Sequence, residues 1–280
     1  VKPLDISGDG YIDRLYAADT GGQIFRFDID NTNDAALASS ITGGRMIDVS
    51  DSVDAANNRR FYYPPDVALI DAPEGRFHAL LISSGYRAHP LNEVIHDRIY
   101  MIKDKNTGFI TSGYPDYDET NLKDATLNIA GGDGTDDAAR NAELALIQAA
   151  DGWRIDLDLD KDDTPGAWVG EKGLSEPLIL EGVGLVTTYT PNVQAGESAC
   201  GPNEGMGRVY FLDMLDATPA FPSSVDERPE RHKILKRGGI PPSPNVIITE
   251  DGKPTKCVGT ECDEADFGLG VRKTYWYEVN

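Results

Sequence analysis

The sequence predicts an all-β fold, a β-propeller with long loop insertions and one short helix. Three observations carry this expectation. Apolar stretches are short, and several alternate with polar residues at the period of a strand. They recur as loosely similar units: a strand ending in a polar residue, a glycine turn, then an aromatic-aliphatic-aromatic strand closed by Asp, without a strict period. Glycine (29) and proline (17) are plentiful in 280 residues, which suits many short strands joined by tight turns. A β-sandwich is the alternative architecture.

The elements follow in order. Arg14–Asp19 runs into a Thr20-Gly21-Gly22-Gln23 turn and on to Ile24–Asp28, a hairpin whose glycines tolerate positive φ. Asp66–Asp71, Phe77–Ser83 and Asp97–Asp104 read as three successive strands. Gly152–Asp156, Leu178–Leu180 and Val183–Tyr189 form a third region, with a turn at Glu181-Gly182. Gly207–Asp213 and Pro244–Thr249 form a fourth, and Lys273–Val279 reads as a last alternating strand. One helix is expected over Asp136–Ala149, with acidic residues at its start, good helix formers within, and Gly152 beyond its end. It lies in an insertion spanning about 105–150. Each of Arg14–Asp28, Phe77–Asp104, Leu178–Tyr189 and Gly207–Asp213 is a version of the same unit.

The net charge is -21 with a pI near 4.4, so a phosphate backbone is repelled by the average surface and nucleic-acid binding is not expected. No run approaches the roughly 18 apolar residues that span a bilayer, so no transmembrane segment is expected. The chain starts on Val1 directly before a motif and is read as part of a longer protein. Cys257 and Cys262 lie in Lys-Cys-Val-Gly-Thr-Glu-Cys; a local disulfide, a pair of free thiols, and zinc all remain open readings for them. Cys200 has no evident partner.

The sharpest motif is Asp5-Ile6-Ser7-Gly8-Asp9-Gly10-Tyr11-Ile12-Asp13. It matches the first nine positions of a Ca2+ loop. Oxygens of Asp5, Ser7 and Asp9 converge as the backbone wraps the ion, Gly10 allows the bend, Tyr11 offers its carbonyl, and Asp13 its carboxylate. Carboxylates crowded into nine residues repel one another without a cation, and Ca2+, a hard ion taking six to eight oxygens, removes that repulsion. Position 12 is Tyr16 rather than a bidentate Glu, and a hairpin follows rather than a helix, so the loop is EF-like but grafted onto strands. Metal ligands are therefore expected at Asp5, Ser7, Asp9, Tyr11 and Asp13, weaker together than a full EF-hand.

Other acidic stretches are weaker. Asp156, Asp158 and Asp160 alternate, but Lys161 opposes a cation and a central Gly is missing, so a solvated strand-to-loop transition is expected. Phe27–Asn31 and Gly132–Asp137 are ambiguous acidic loops. His78, His89, His96 and His232 lack zinc-helix spacing, Ser83-Ser84-Gly85 is not a nucleophile elbow, and no phosphate-cradling loop is present. No catalytic residue is assigned, and the chain is not expected to be an enzyme.

These residues resemble the PilC/PilY family of type IV pilus tip and biogenesis proteins. The resemblance starts in Asp5–Asp28 and continues in order through Ser84-Gly85-Tyr86-Arg87-Ala88-His89-Pro90, Asp97–Tyr100, Gly170–Pro177, Thr187–Pro191, Cys200-Gly201-Pro202, Gly207–Asp213, Gly239–Pro244 and Tyr275-Trp276. It implies that residues 1–280 are the C-terminal part of a modified, quinoprotein-like β-propeller domain, incomplete within this chain, with a surface Ca2+ site at the five residues above, Ser7 standing where Asn or Asp is more usual. It implies a Ca2+-binding, non-enzymatic adhesin and assembly factor of the type IV pilus (fimbrium), linked to pilus biogenesis, extension and retraction, twitching motility and surface attachment. The implied partners are minor pilins or the pilus tip and a host-cell or abiotic surface. The implied location is extracellular or at the cell surface, outer-membrane associated and exported through the periplasm. The Arg-Gly-Asp tripeptide of some members does not occur here. The alternatives are a quinoprotein-type propeller dehydrogenase, disfavoured by only three tryptophans (Trp153, Trp168 and Trp276), and a purely structural Ca2+-stabilised repeat module.

Overall fold

The computed structural model describes residues 1–31, 40–51, 53–131, 136–159, 165–192, 204–220, 231–248 and 254–264. The expectations for Cys200, Asp160, residues 132–135 and the strand at 273–279 lie outside those residues.

Among the described residues four sheets, antiparallel but for one strand, follow one another along the chain. The first joins β1 (Lys2–Leu4), β2 (Arg14–Ala18), β3 (Gln23–Ile29) and β4 (Ile41–Asp48) in that order. The second has β5 (Asp66–Ala72), β6 (Gly75–Ser83), β7 (Arg98–Asp104) and β9 (Gly152–Asp156), with β8 (Lys123–Asp124) added parallel to β9. The third centres on β12 (Val183–Thr190) and β13 (Met206–Asp213), flanked by β10 (Lys172–Gly173), β11 (Leu178–Leu180) and β14 (His232–Ile234). The fourth is β15 (Pro244–Ile248), β16 (Pro254–Val258) and β17 (Glu261–Glu264). The helix α1 (Asp137–Ala149) lies between β7 and β9 and is capped by Asp136, whose side chain accepts from the Ala139 amide.

The sheets stack by alternate faces. On β6, Leu80 and Ile82 pack with Tyr16, Ile24 and Met46 of the first sheet, while Ala79 and Leu81 pack with Val186, Tyr210 and Leu212 of the third. On β7, Tyr100 and Ile102 face the first sheet, and Ile99 and Met101 face the third. On the third sheet, Leu185, Val209 and Phe211 turn the other way and meet Val258 and Val246 of the fourth. Period two therefore sends neighbouring residues into different cores, and the inner strands are apolar on both faces. Three successive interfaces between blade-like sheets are the packing of a modified β-propeller, and they rule out a two-layer sandwich, which has one.

The glycine turn of the first hairpin matches its sequence reading. Gly22 has φ +76°, and a Cβ there meets Ser50 Cβ and the Arg59 carbonyl, at 2.5 and 2.9 Å. The acidic run after β9 departs from expectation. Asp158 is buried rather than solvated; its Oδ2 accepts from the Gly166 amide at 2.7 Å, and burial raises its carboxyl above the ordinary range. Asp156 is half-buried and paired with Arg98 at 2.6 Å and with Arg154. Arginines on the neighbouring strands β7 and β9 supplied the partners that the run itself does not reveal.

Candidate functional site

The Asp5 to Asp13 segment joins β1 to β2, two strands paired from Lys2↔Tyr16 to Leu4↔Arg14. Antiparallel pairing of these flanking residues forces the nine residues between into a closed loop. Gly8 and Gly10 take φ +77° and +90° with open space where a Cβ would stand, so the bend needs left-handed backbone at both. The Asp13 amide donates to the Leu4 carbonyl at 2.9 Å and closes the base.

Two carboxylates brace the loop from its ends. Asp5 accepts the Gly8 amide at 2.6 Å on Oδ1 and the Gly10 amide at 2.8 Å on Oδ2. The amides of Gly10, Gly8 and Asp9, with the Ser7 hydroxyl, hold the Asp5 carboxyl below its ordinary value against the opposing effect of desolvation. Asp13 accepts the Ile6 and Ser7 amides on Oδ2 at 2.7 and 2.8 Å, and the Asn31 side-chain amide on Oδ1 at 3.0 Å. Asp9 is the least committed; its Oδ1 accepts only the Tyr11 amide, at 2.9 Å. The Tyr11 ring stands exposed.

The hairpin β2–β3 brings a second acidic segment to this loop. Arg14 pairs with Asp28 in register, and the Ile29 amide donates to the Asp13 carbonyl at 2.8 Å. A cleft of about 490 Å³ results, in which Ser7, Asp9 and Asp13 face Asp28, Asp30 and Asn31, with Phe109 at its rim. The sequence flagged both acidic stretches separately; their juxtaposition follows from strand register.

Beneath the cleft lies a buried ion network. Arg14 and Arg26 share Asp28 at 2.9 and 2.7 Å, and Arg26 also reaches Asp104 at the end of β7 at 2.8 Å. The Tyr16 hydroxyl donates to Asp104 at 2.5 Å, and both guanidiniums donate to the Gly108 carbonyl. Two cations are thus matched by two anions, so the arginines add little net repulsion to a cation above them. His78 Nδ1 lies 3.2 Å from Arg14; burial, then that guanidinium, lowers the imidazole to about 4, so the ring is neutral near pH 7 and accepts there. Asp28, Asp104 and both arginines were missed as a unit by sequence reading, because only the fold joins β3 to β7.

The donor set suits a hard divalent ion in kind: three exposed or half-buried carboxylates, a hydroxyl and a carbonyl within nine residues. Its side chains are not yet gathered. Among the described residues no three His, Cys, Asp or Glu side chains are grouped closely enough to hold a metal ion, because Asp5 and Asp13 are turned onto loop amides. A carboxylate offers about four lone-pair positions, so both can keep amide bonds and still present an oxygen.

Elsewhere, Cys257 and Cys262 face each other across β16 and β17 and are joined by a disulfide. The hairpin it closes is fastened to β14 and the segment after it: Lys233 of β14 pairs with Asp263 at 2.5 Å, and the Lys236 amide donates to Glu261 at 2.8 Å. No helix among the described residues is long and apolar enough to cross a membrane.

No protein-family model matches the sequence, and no curated protein matches it. Among solved structures, the chain is similar to the crystal structure of the C-terminal domain of Pseudomonas aeruginosa PilY1, with a TM-score of 0.65 and 18% sequence identity. The match covers 96% of this chain and 60% of that one, so this chain spans less than two thirds of that structure.

Proposed function

We propose that this chain is a propeller module of a type IV pilus tip-associated adhesin and assembly factor, in which Ca2+ bound at Asp5, Ser7, Asp9, Tyr11 and Asp13 sets the state of the surrounding surface. The observation that carries the proposal is the cleft in which a Ca2+-type loop and the acidic end of β3 meet. The fold likeness to the PilY1 C-terminal domain supports the pilus context. The role is that of a binding and assembly module rather than an enzyme, acting on the cell exterior, with minor pilins or the pilus tip on one side and a host-cell or abiotic surface on the other.

Physically, the loop carries three carboxylates within nine residues, and drawing them round one point sets their charges against one another. Backbone amides offset part of that repulsion at Asp5 and Asp13, and Asp9 receives the least help. A cation drawn to Asp9 recruits the free positions of its neighbours and fixes the Tyr11 carbonyl, ordering the base of the β2–β3 hairpin. The buried network below gives that order a rigid seat. To act as a switch, the ion must favour one surface state over the other; each tenfold difference in affinity supplies about 1.4 kcal/mol. In the bacterium that makes this chain, Asp9→Ala and Asp13→Ala are expected to change the number of surface pili and the twitching zone, and chelation is expected to reproduce the effect. Unchanged piliation and twitching in both variants contradict the proposal.

A further inference from the structure

The loop carrying Ser84-Gly85-Tyr86-Arg87-Ala88-His89-Pro90 takes no part in the calcium site. It builds a separate surface with the segment before β5. The Arg60 guanidinium lies over the Tyr86 ring, 4.1 Å from its centre, and that of Arg87 lies over Tyr63 at 5.4 Å. Tyr62 and Tyr86 lie near-parallel with centres 6.5 Å apart, and His89 meets the Tyr86 ring edgewise at 4.7 Å. Tyr62, Arg87 and His89 are exposed and the other three half-buried.

Charge makes this surface unusual. The protein has 47 acidic residues against 26 lysines and arginines, and most of its described arginines sit in ion pairs. Arg60 and Arg87 make no ion pair with any described residue. Their protein hydrogen bonds are to carbonyls only: Arg60 to Asn58 at 3.3 Å and Arg87 to Leu174 at 3.0 Å. Glu93, the exposed carboxylate of the same loop, is engaged by the Asn192 amide at 2.5 Å. Asp97 feels the Arg60 charge but is buried beneath the surface.

The surface is also held in place. The Gly85 amide donates to the Arg60 carbonyl at 2.9 Å and ties the two segments together. Lys172, fully buried, donates from Nζ to the carbonyls of Asn92 at 2.7 Å, Pro90 at 3.1 Å, and Gly170, anchoring the far side of the loop. Guanidiniums laid on ring faces lose little further freedom on binding, and their planar forks match a carboxylate with two parallel bonds.

We propose that Arg60, Tyr62, Tyr63, Tyr86, Arg87 and His89 form a binding site for a short acidic saccharide, of the uronic-acid class. The two guanidiniums take the carboxylates, Tyr86 and Tyr63 hold those guanidiniums in place, and the exposed Tyr62 ring takes a sugar face. An acidic peptide fits less well, because residues 84–90 form no strand and so offer no ladder edge for a peptide backbone to pair with. A long polyanion is disfavoured by the average surface charge, so the ligand is a short segment or chain end.

The test uses tri-galacturonate, its methyl ester, and tri-glutamate, titrated into the purified chain with chelator present so that the outcome is independent of calcium. Saturable binding of tri-galacturonate is expected, with the ester and the peptide each at least about tenfold weaker. Arg60→Gln and Arg87→Gln are each expected to weaken binding by about tenfold or more, the loss of one bidentate guanidinium-carboxylate pair, with unchanged melting temperature. Tyr62→Phe, which keeps the ring, is expected to bind within about twofold, and Tyr62→Ala to bind more weakly. No binding, equal binding of the ester, equal binding of tri-glutamate, or indifference to both arginine variants overturns the proposal.

Discussion

Asp9 and Asp13 occupy the same loop but carry different loads. Asp13 holds the Ile6 and Ser7 amides and the Asn31 side chain, so Asp13→Ala is expected to destabilise the chain by about 1 kcal/mol even without calcium, read from urea unfolding. Asp9→Ala removes one amide contact and is expected to leave metal-free stability nearly unchanged. Two buried groups set a pH dependence of opposite sign. His78 is lowered to about 4 by burial, so it contributes stability that is lost as pH falls from 6.5 toward 4, where only the unfolded chain takes up the proton. Asp97 is raised from 3.8 to about 6, burial outweighing its bond from Ser84 Oγ at 2.7 Å, and its Oδ2 has no hydrogen-bond partner among the described residues. The folded protein therefore holds the Asp97 proton more tightly, and this contribution is lost as pH rises from about 4 to about 6. Asp97→Asn removes that loss while keeping an acceptor for Ser84. Its stability relative to the parent is expected to rise between pH 4 and pH 7 by up to about 1.4 kcal/mol per unit within the window. A stability difference that stays flat with pH contradicts this assignment.

Elements are fixed by contacts that differ in how plainly the sequence announces them. The β2–β3 hairpin was legible because its glycine turn and alternating second strand are local signals. The strand β4 was not, since Gly43 and Gly44 argue against a strand. The structure explains them: the Phe27 ring fills the space of a Cβ at Gly43, and the Tyr114 ring that at Gly44. The strands β16 and β17 were hidden by the cysteine motif, whose disulfide is a cross-strand pair rather than a loop closure alone. The helix was legible to within one residue, because its acidic first turn acts locally; Asp136, read as its first residue, is its N-cap. Two substitutions test the joints between sheets. Gly85→Ala drives a Cβ into the Gly173 carbonyl, where β6 exits against β10, and is expected to cost about 1–3 kcal/mol in urea unfolding. Arg26→Met leaves two buried carboxylates, Asp28 and Asp104, with Arg14 as their one remaining guanidinium, and is expected to cost about 3–5 kcal/mol. A loss under 1 kcal/mol in the second variant means the network is solvated rather than buried.

Across the whole molecule, the propeller architecture was legible from the recurrence of short strand units, because each blade is a local meander and its strands neighbour one another in sequence. The contacts between blades were not. Asp104 meets Arg26 across 78 residues, and the Asp66 side chain accepts the Ile179 amide at 2.6 Å across 113, pairings that no local pattern encodes. The Asp5 to Asp13 loop sits where both kinds of information meet: its motif was readable from spacing, but the acidic strand end and the arginine-aspartate seat beside it come from the fold. The most direct measurement is calorimetric titration of Ca2+ into the chelator-treated chain, with Mg2+ as a parallel titrant and Asp9→Ala as the control. One saturable site is expected, near the 10⁻⁴–10⁻³ M range of extracellular modules, with weaker Mg2+ binding and loss of the Ca2+ signal in the variant. Absence of saturation at millimolar Ca2+, or an equal signal from Asp9→Ala, contradicts the account.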